Sequence, residues 1–297
     1  MHADQLRVER EQVAALVADQ LPELAGRRVT EVPGAGTVNA IFRIGDGVAA
    51  RFPVRRADPA RVREDLRSEM TAAAEFAELC PFPAPFPQYL GHSGHGYPLA
   101  WMTQSWVPGR TATPTSDAHS SALADDLALL IGRLRDHDPA GRSFAGTGRG
   151  GVLSDHDAWV TRCIERSEGL ADTTAMRSMW SRFRVLPRDE PDAMCHSDLI
   201  PSNLLVERGR LVGVLDAGGF RAADPALDLV VAWHLFDAAP RARLRDALGC
   251  TELQWERGKA WAFQQAAGLE WYYRESNPAM AELGRTTLHR LMADDQR

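Results

Sequence analysis

A chain of 297 residues, 44% hydrophobic and 25% charged, is long enough for one large or two moderate domains with a sizeable core. Its net charge of −6 argues against nucleic acid as the main partner, because a phosphate backbone selects basic surfaces. No run reaches the roughly 18 consecutive apolar residues of a membrane helix, and the start, Met-His-Ala-Asp-Gln-Leu-Arg, carries no apolar signal segment.

Residues 8–21 set Val13, Leu16, Val17 and Leu21 at helical spacing, which predicts an amphipathic helix. From Arg28 three short strands follow. Val29 and Val32 lead into Pro33-Gly34-Ala35-Gly36-Thr37-Val38-Asn39, then residues 40–44, a Gly45-Asp46-Gly47 turn and residues 48–52. The turn with Gly34, Gly36 and Thr37 can lay backbone N–H groups over phosphates, because glycine tolerates positive φ and leaves room for close approach. A plain hairpin turn has the same composition.

Asp58-Pro59 supplies a cap and a first-turn proline for a helix over 60–79, with Val62, Leu66, Met70, Ala73 and Phe76 on its apolar face. Pro81, Pro83, Pro85 and Pro87 alternate with Phe82, Ala84 and Phe86 and predict an extended connector. Residues 98–109 read as a strand ending at Pro108-Gly109. Ser116 or Asp117 is expected to cap a helix reaching about Asp136, with Leu123, Leu127, Leu130, Ile131 and Leu134 inward. The glycine-rich run 139–151 is a mobile flap or merely a loose loop. Helices over 155–169 and 173–184 carry Asp155, Asp157, Glu165 and Glu168, which could meet a cationic substrate or form solvated faces.

The stretch from Met194 to Phe220 carries the chemistry. Apolar runs 204–206 and 211–215 flank a Glu207-Arg208-Gly209-Arg210 turn and predict a hairpin, which sets Asp198 and Asn203 opposite Asp216. Two carboxylates and an amide oxygen are hard ligands, the type magnesium prefers while it keeps waters and substrate phosphates. His196-x-Asp198-x-x-x-x-Asn203 and Asp216-Ala217-Gly218 follow the phosphoryl-transfer template of protein kinases in order and spacing. A lone His-x-Asp marks only a turn; both halves around a hairpin carry more information. Downstream, Asp224-Pro225-Ala-Leu-Asp228 opens a buried helix, with both acids expected to be structural. Helices over 252–275 and 278–293 complete the chain, the first with Trp255, Trp261, Phe263, Trp271, Tyr272 and Tyr273 beside Glu270 and Glu275. Such aromatics suit an amine-bearing acceptor or simple helix packing.

These motifs resemble the aminoglycoside phosphotransferase-like antibiotic kinases, the aminoglycoside and macrolide phosphotransferases. Their usual form is His-Gly-Asp-Leu-His-Pro-Gly-Asn, an Ile-Asp segment and Asp-Pro-x-x-Asp-Leu-Ala. The resemblance implies an α+β, bilobal protein-kinase-like fold. Its N-terminal antiparallel-sheet lobe would span 1–106, with a hinge at about 104–109 and a mostly helical C-terminal lobe over 107–297. It also implies magnesium-dependent transfer of the γ-phosphate of ATP or GTP to a hydroxyl of a small-molecule acceptor, foremost an antibiotic (an aminoglycoside, a macrolide or a peptide antibiotic, cationic ones included), giving resistance. Asp198 would be the catalytic base, Asn203 and Asp216 the magnesium ligands, and His196 a hydrogen-bonding brace.

By the same resemblance Arg51 would neutralise the α/β phosphates where most kinases use Lys. Glu69 would orient it, with Glu64 and Glu75 as alternatives. Gly34, Gly36 and Thr37 would cover the nucleotide, and the backbone of Ser105 and Val107 would read the adenine edge. No nucleic acid, membrane or obligate protein partner is called for. Cys80, Cys163, Cys195 and Cys250 lack metal-type spacing, so a reduced, cytoplasmic protein is expected. Ser197 and Ser202 stand where the family has glycine, and Ala217 where it has a bulky residue, which alters the demands on the loop backbone. A kinase of a homoserine-like or choline-like alcohol would share every motif; a silent nucleotide-binding regulatory module is the other class.

Overall fold

The structure, a computed structural model, describes residues 6–33, 38–146 and 148–295. The chain forms two compact units. One holds the chain up to Glu78, Pro83–Pro108 and Asp216–Gly218; the other holds Leu79–Phe82, Gly109–Leu215 and the chain from Gly219.

The first unit is built from α1 (Arg10–Gln20), β1 (Val29–Glu31), β2 (Asn39–Ile44), β3 (Val48–Pro53), α2 (Pro59–Leu79), β4 (Pro87–Gly91) and β5 (Trp101–Ser105). The strands make one antiparallel sheet in the order β1-β2-β3-β5-β4. Phe42 and Ile44 on β2, and Ala50 and Phe52 on β3, alternate into a core shared with Leu16, Val17, Leu66 and Trp101. Phe52 stacks on Trp101 with ring centroids 5.0 Å apart. The expected cap of α2 forms, since Asp58 Oδ1 accepts from the Arg61 N–H at 2.9 Å. Pro87, the last of the proline run, begins an edge strand, where its missing N–H removes no interior ladder bond.

The second unit comprises β6 (Arg110–Thr111), α3 (Ser121–Arg135), α4 (Asp157–Arg166), α5 (Thr173–Phe183), β7 (Ala193–Cys195), β8 (Leu204–Glu207), β9 (Arg210–Val214), β10 (Arg221–Ala223), α6 (Val231–Leu235), α7 (Ala238–Leu248), α8 (Glu252–Ala266), α9 (Leu269–Tyr273) and α10 (Pro278–Asp295). Leu127, Leu130, Val230, Trp233, Trp261 and Phe263 are buried among these helices. Among the described residues no helix is long and apolar enough to cross a membrane.

Three expectations change here. The cap of α3 is Ser120, whose Oγ accepts from Leu123 N–H at 3.2 Å, and not Ser116 or Asp117. Asp117 is buried and accepts from the Arg110 guanidinium at 2.7 and 2.8 Å and from Thr113 N–H at 2.9 Å, which commits it to a different turn. The helix expected over 252–275 divides between α8 and α9, where a Cβ on Gly268 would stand 2.8 Å from the Trp159 ring. α7, which lay outside the predicted elements, is ended by Gly249 at φ +59°.

Candidate active site

In the second unit, β8 and β9 pair antiparallel with Leu204 opposite Val214 and Glu207 opposite Arg210. Arg208 and Gly209 take φ +51° and +74°, a two-residue turn whose twist suits a hairpin. Ser120 Oγ donates to the Gly209 carbonyl at 2.7 Å, and Asp126 accepts from Arg210 and from Leu211 N–H. The tip is therefore pinned to α3. At the open end, Leu215 N–H donates to the Asn203 carbonyl at 2.7 Å, extending the ladder to the motif itself.

β7 and β10 form the other ladder, with Cys195 opposite Arg221. His196, Ser197 and Asp198 follow β7 directly. The Asp228 carboxylate accepts from the backbone N–H of His196 at 2.7 Å and of Ser197 at 2.9 Å. Burial pushes its proton affinity above the ordinary aspartate value, against the pull of His196 and these N–H donors. Ser197 sits at φ +75°, the region that favours glycine, and its hydroxyl donates to the Gly219 carbonyl at 3.1 Å. The serine thus keeps a glycine-type backbone and anchors it.

His196 is fully buried. Because a carbonyl only accepts, its Nε2 donates to Leu215 O at 2.9 Å, and Nδ1 then faces the Asp198 N–H at 3.3 Å as acceptor. That arrangement is a brace between the loop and the end of β9. Asn203 Nδ2 donates to the Asp198 carbonyl at 2.9 Å and to its Oδ2 at 3.3 Å. With the nitrogen turned to Asp198, Asn203 presents Oδ1 as its free hard ligand atom. Asp198 Oδ1 accepts from Arg149 Nη2 at 2.9 Å.

In the first unit, Arg51 lies on β3 opposite Ile41 and Met102. Its Nη2 stands 3.3 Å from Asp216 Oδ1 and 3.8 Å from Glu69 Oε2. Burial raises the Glu69 carboxyl above its ordinary range; Arg51 opposes the shift, and Asp216 and Asp65 add to it. A Cβ on Gly218 would lie 3.1 Å from Glu69 Cγ, so glycine after Asp216-Ala217 permits the close approach. Asp216 itself has φ +60°, which aspartate tolerates better than most residues. Ser105 N–H donates to Phe86 O at 2.9 Å, and Val107 follows beyond the strand end. Gly34, Gly36 and Thr37 lie outside the described residues.

Of the four acids expected in the helical region, two are engaged by neighbours, and Asp155 and Glu165 are exposed. Asp157 accepts from Trp180 and Arg184, and Glu168 pairs with Arg177. Asp224, 1% exposed, accepts from Arg257 at 2.6 Å, Trp261 Nε1 at 2.7 Å and Ala226 N–H at 3.0 Å, so it ties α8 to the segment after β10. Arg149 is the contact to Asp198 that sequence reasoning missed. An arginine in a glycine-rich run gives no periodic or motif signal.

The model of the phosphotransferase enzyme family matches residues 29–266. An aminoglycoside 3'-phosphotransferase of Escherichia coli is 23% identical over 187 residues, which cover 58% of this chain and 64% of the relative. The chain thus spans less than two thirds of that relative's length. Among solved structures, the GDP and kanamycin complex of APH(2")-IIia aligns with a TM-score of 0.71 at 17% identity, over 95% of this chain and 99% of that one. The macrolide 2'-phosphotransferase MphH from Brachybacterium faecium aligns with a TM-score of 0.63 at 18% identity, over 94% and 98%. These structures share the kinase-like α+β fold described above.

Proposed function

The chain belongs to the phosphotransferase enzyme family, and from that premise we propose that it moves the γ-phosphoryl group of ATP or GTP to a hydroxyl of an aminoglycoside or macrolide antibiotic. The observation that carries this reading is the loop from His196 to Asn203, in which Asp198 and Asn203 are hydrogen-bonded to each other and braced by Asp228. Relatives named for aminoglycosides and macrolides bracket the acceptor class, and GDP in one of the structures supports a nucleotide donor.

In this reading the acceptor hydroxyl donates to Asp198. As its oxygen bonds to phosphorus and the bond to the β-phosphate oxygen breaks, the proton passes to the carboxylate. The transition state is loose, so placement and charge matter more than base strength. Asn203 Oδ1 and the half-exposed Asp216 carboxylate are the hard oxygens that would hold magnesium, which offsets phosphate charge when bound. Arg51 would serve the α/β phosphates with Glu69 orienting it, Gly34, Gly36 and Thr37 would cover them, and the carbonyl of Ser105, whose N–H is taken up by strand pairing with Phe86 O, and the backbone of Val107 would read the base. The free thiols of Cys80, Cys163, Cys195 and Cys250 support a reducing, cytoplasmic setting.

The test combines the purified protein with ATP or GTP, magnesium and a panel of aminoglycosides and macrolides, and reads the products by mass spectrometry. A drug gaining one phosphate, and raised resistance in a sensitive bacterium, are expected. Turnover only with a homoserine-like or choline-like alcohol would move the acceptor class. Absence of magnesium-dependent turnover would overturn the reading.

A further inference from the structure

The run 139–151 holds Arg149 on the same frame as the base. Arg149 O accepts from Arg221 Nη2 at 3.0 Å, and Gly150 O accepts from Asp224 N–H at 2.9 Å. Gly150 has φ +102°, and a Cβ there would lie 2.7 Å from Ala223 Cβ; one on Gly151 would lie 2.5 Å from the Phe144 ring. Phe144 N–H in turn donates to Asp192 Oδ2 at 2.8 Å, and the Arg221 guanidinium lies 5.4 Å from its ring centre. Asp192 precedes β7, Arg221 and Ala223 lie on β10, and β7 leads straight to Asp198. The end of this run is therefore fastened to the ladder that carries the catalytic loop.

An ion pair whose side chains are each 34% exposed contributes little to stability, so folding gives little reason for the two closely packed glycines, Gly150 and Gly151, that follow Arg149. We infer that Arg149 is a positioning residue for Asp198. A carboxylate has about four lone-pair sites. The guanidinium takes one on Oδ1 and Asn203 Nδ2 one on Oδ2, which fixes the carboxylate plane from both sides and leaves the remaining lone pairs for the acceptor hydroxyl. Placement of the carboxylate is what matters here, because the barrier to phosphoryl transfer is set by positioning more than by base strength. This inference rests on the proposed phosphoryl transfer.

The test needs no identified acceptor, because water can take the phosphoryl group in slow nucleotide hydrolysis. Full-length R149A and R149K are compared with the parent in magnesium and ATP or GTP. R149A should lose about ten- to a hundredfold in kcat with nucleotide KM within about twofold. Its melting temperature should stay within about 2 °C. Methylguanidinium should restore part of the R149A rate but none of a D198A rate, and R149K should fall between. Parental kcat in R149A, or a loss that follows melting temperature and ignores methylguanidinium, would overturn the inference. A parent that is silent here and also with the aminoglycoside and macrolide panel would instead overturn the proposed activity and this inference together, and the parent control tells the two failures apart.

Discussion

Asp228 holds the backbone of His196 from 32 residues downstream, accepting its N–H at 2.7 Å and that of Ser197 at 2.9 Å. Asp228→Ala leaves two buried donors without their acceptor, each costing about 1–3 kcal/mol. The expected loss is about 3 kcal/mol in urea denaturation, with a drop in turnover. Asp228→Asn keeps one acceptor oxygen and should lie between; an unchanged midpoint in Asp228→Ala would refute the brace.

Asp198→Ala should lower nucleotide turnover roughly a hundred- to ten-thousandfold, the range for loss of a general base. Far-ultraviolet circular dichroism should be parental, since the side chain is about one third exposed. Parental turnover in this variant would remove Asp198 from the reaction.

Arg51→Ala should act on a different parameter. It leaves Asp216 and Glu69 without their shared cation at 3.3 and 3.8 Å, so nucleotide Kd should rise about tenfold or more. Arg51→Lys, a point charge in place of a planar fork, should recover only part. Isothermal titration with ATP and GTP checks both.

Ser197 separates backbone strain from hydrogen bonding. At φ +75° Ser197→Gly relieves about 1 kcal/mol of strain but loses the 3.1 Å bond to Gly219 O, worth a similar amount, so its stability should be near parental. Ser197→Ala keeps the strain and loses the bond, and should be about 1 kcal/mol or more less stable than Ser197→Gly. The reverse order in thermal denaturation would contradict the strain argument.

His234 makes stability depend on pH. It is fully buried, facing Thr287 Oγ1 at 2.9 Å and Gln265 Oε1 at 3.0 Å, and burial holds it down to about 4. Unfolded, a histidine titrates near 6.5, so between these values the unfolded chain binds more protons. This contribution is complete above pH about 6.5 and is lost as pH falls toward 4, by up to about 3 kcal/mol. His234→Gln should flatten that acid slope; an identical slope in the variant would assign it elsewhere.

Much of this architecture was legible in the sequence because period and punctuation agreed. The Asp58-Pro59 cap, the spacing from Val62 to Phe76 and the Glu207–Arg210 turn each correspond to α2 and the β8–β9 hairpin. Asp117 misled because a buried aspartate paired to Arg110 has the same local signature as a helix cap. α7 has a weak apolar stripe, Pro240 and Leu244 with the buried Arg241, so periodicity did not mark it. Arg149 could not be found from spacing, since its place depends on glycines packing against Ala223 and Phe144, contacts that only the folded chain brings together.

The β8–β9 hairpin is held at its tip by α3 and at its mouth by the bond from Leu215 to Asn203. A strand slipped by one position turns every side chain to the opposite face. Lengthening Glu207–Arg210 by a single amino acid would therefore pull Leu215 off the Asn203 carbonyl and strip His196 of its Leu215 acceptor in one stroke. Tolerance to indels, more than to point changes, is where this molecule should prove brittle.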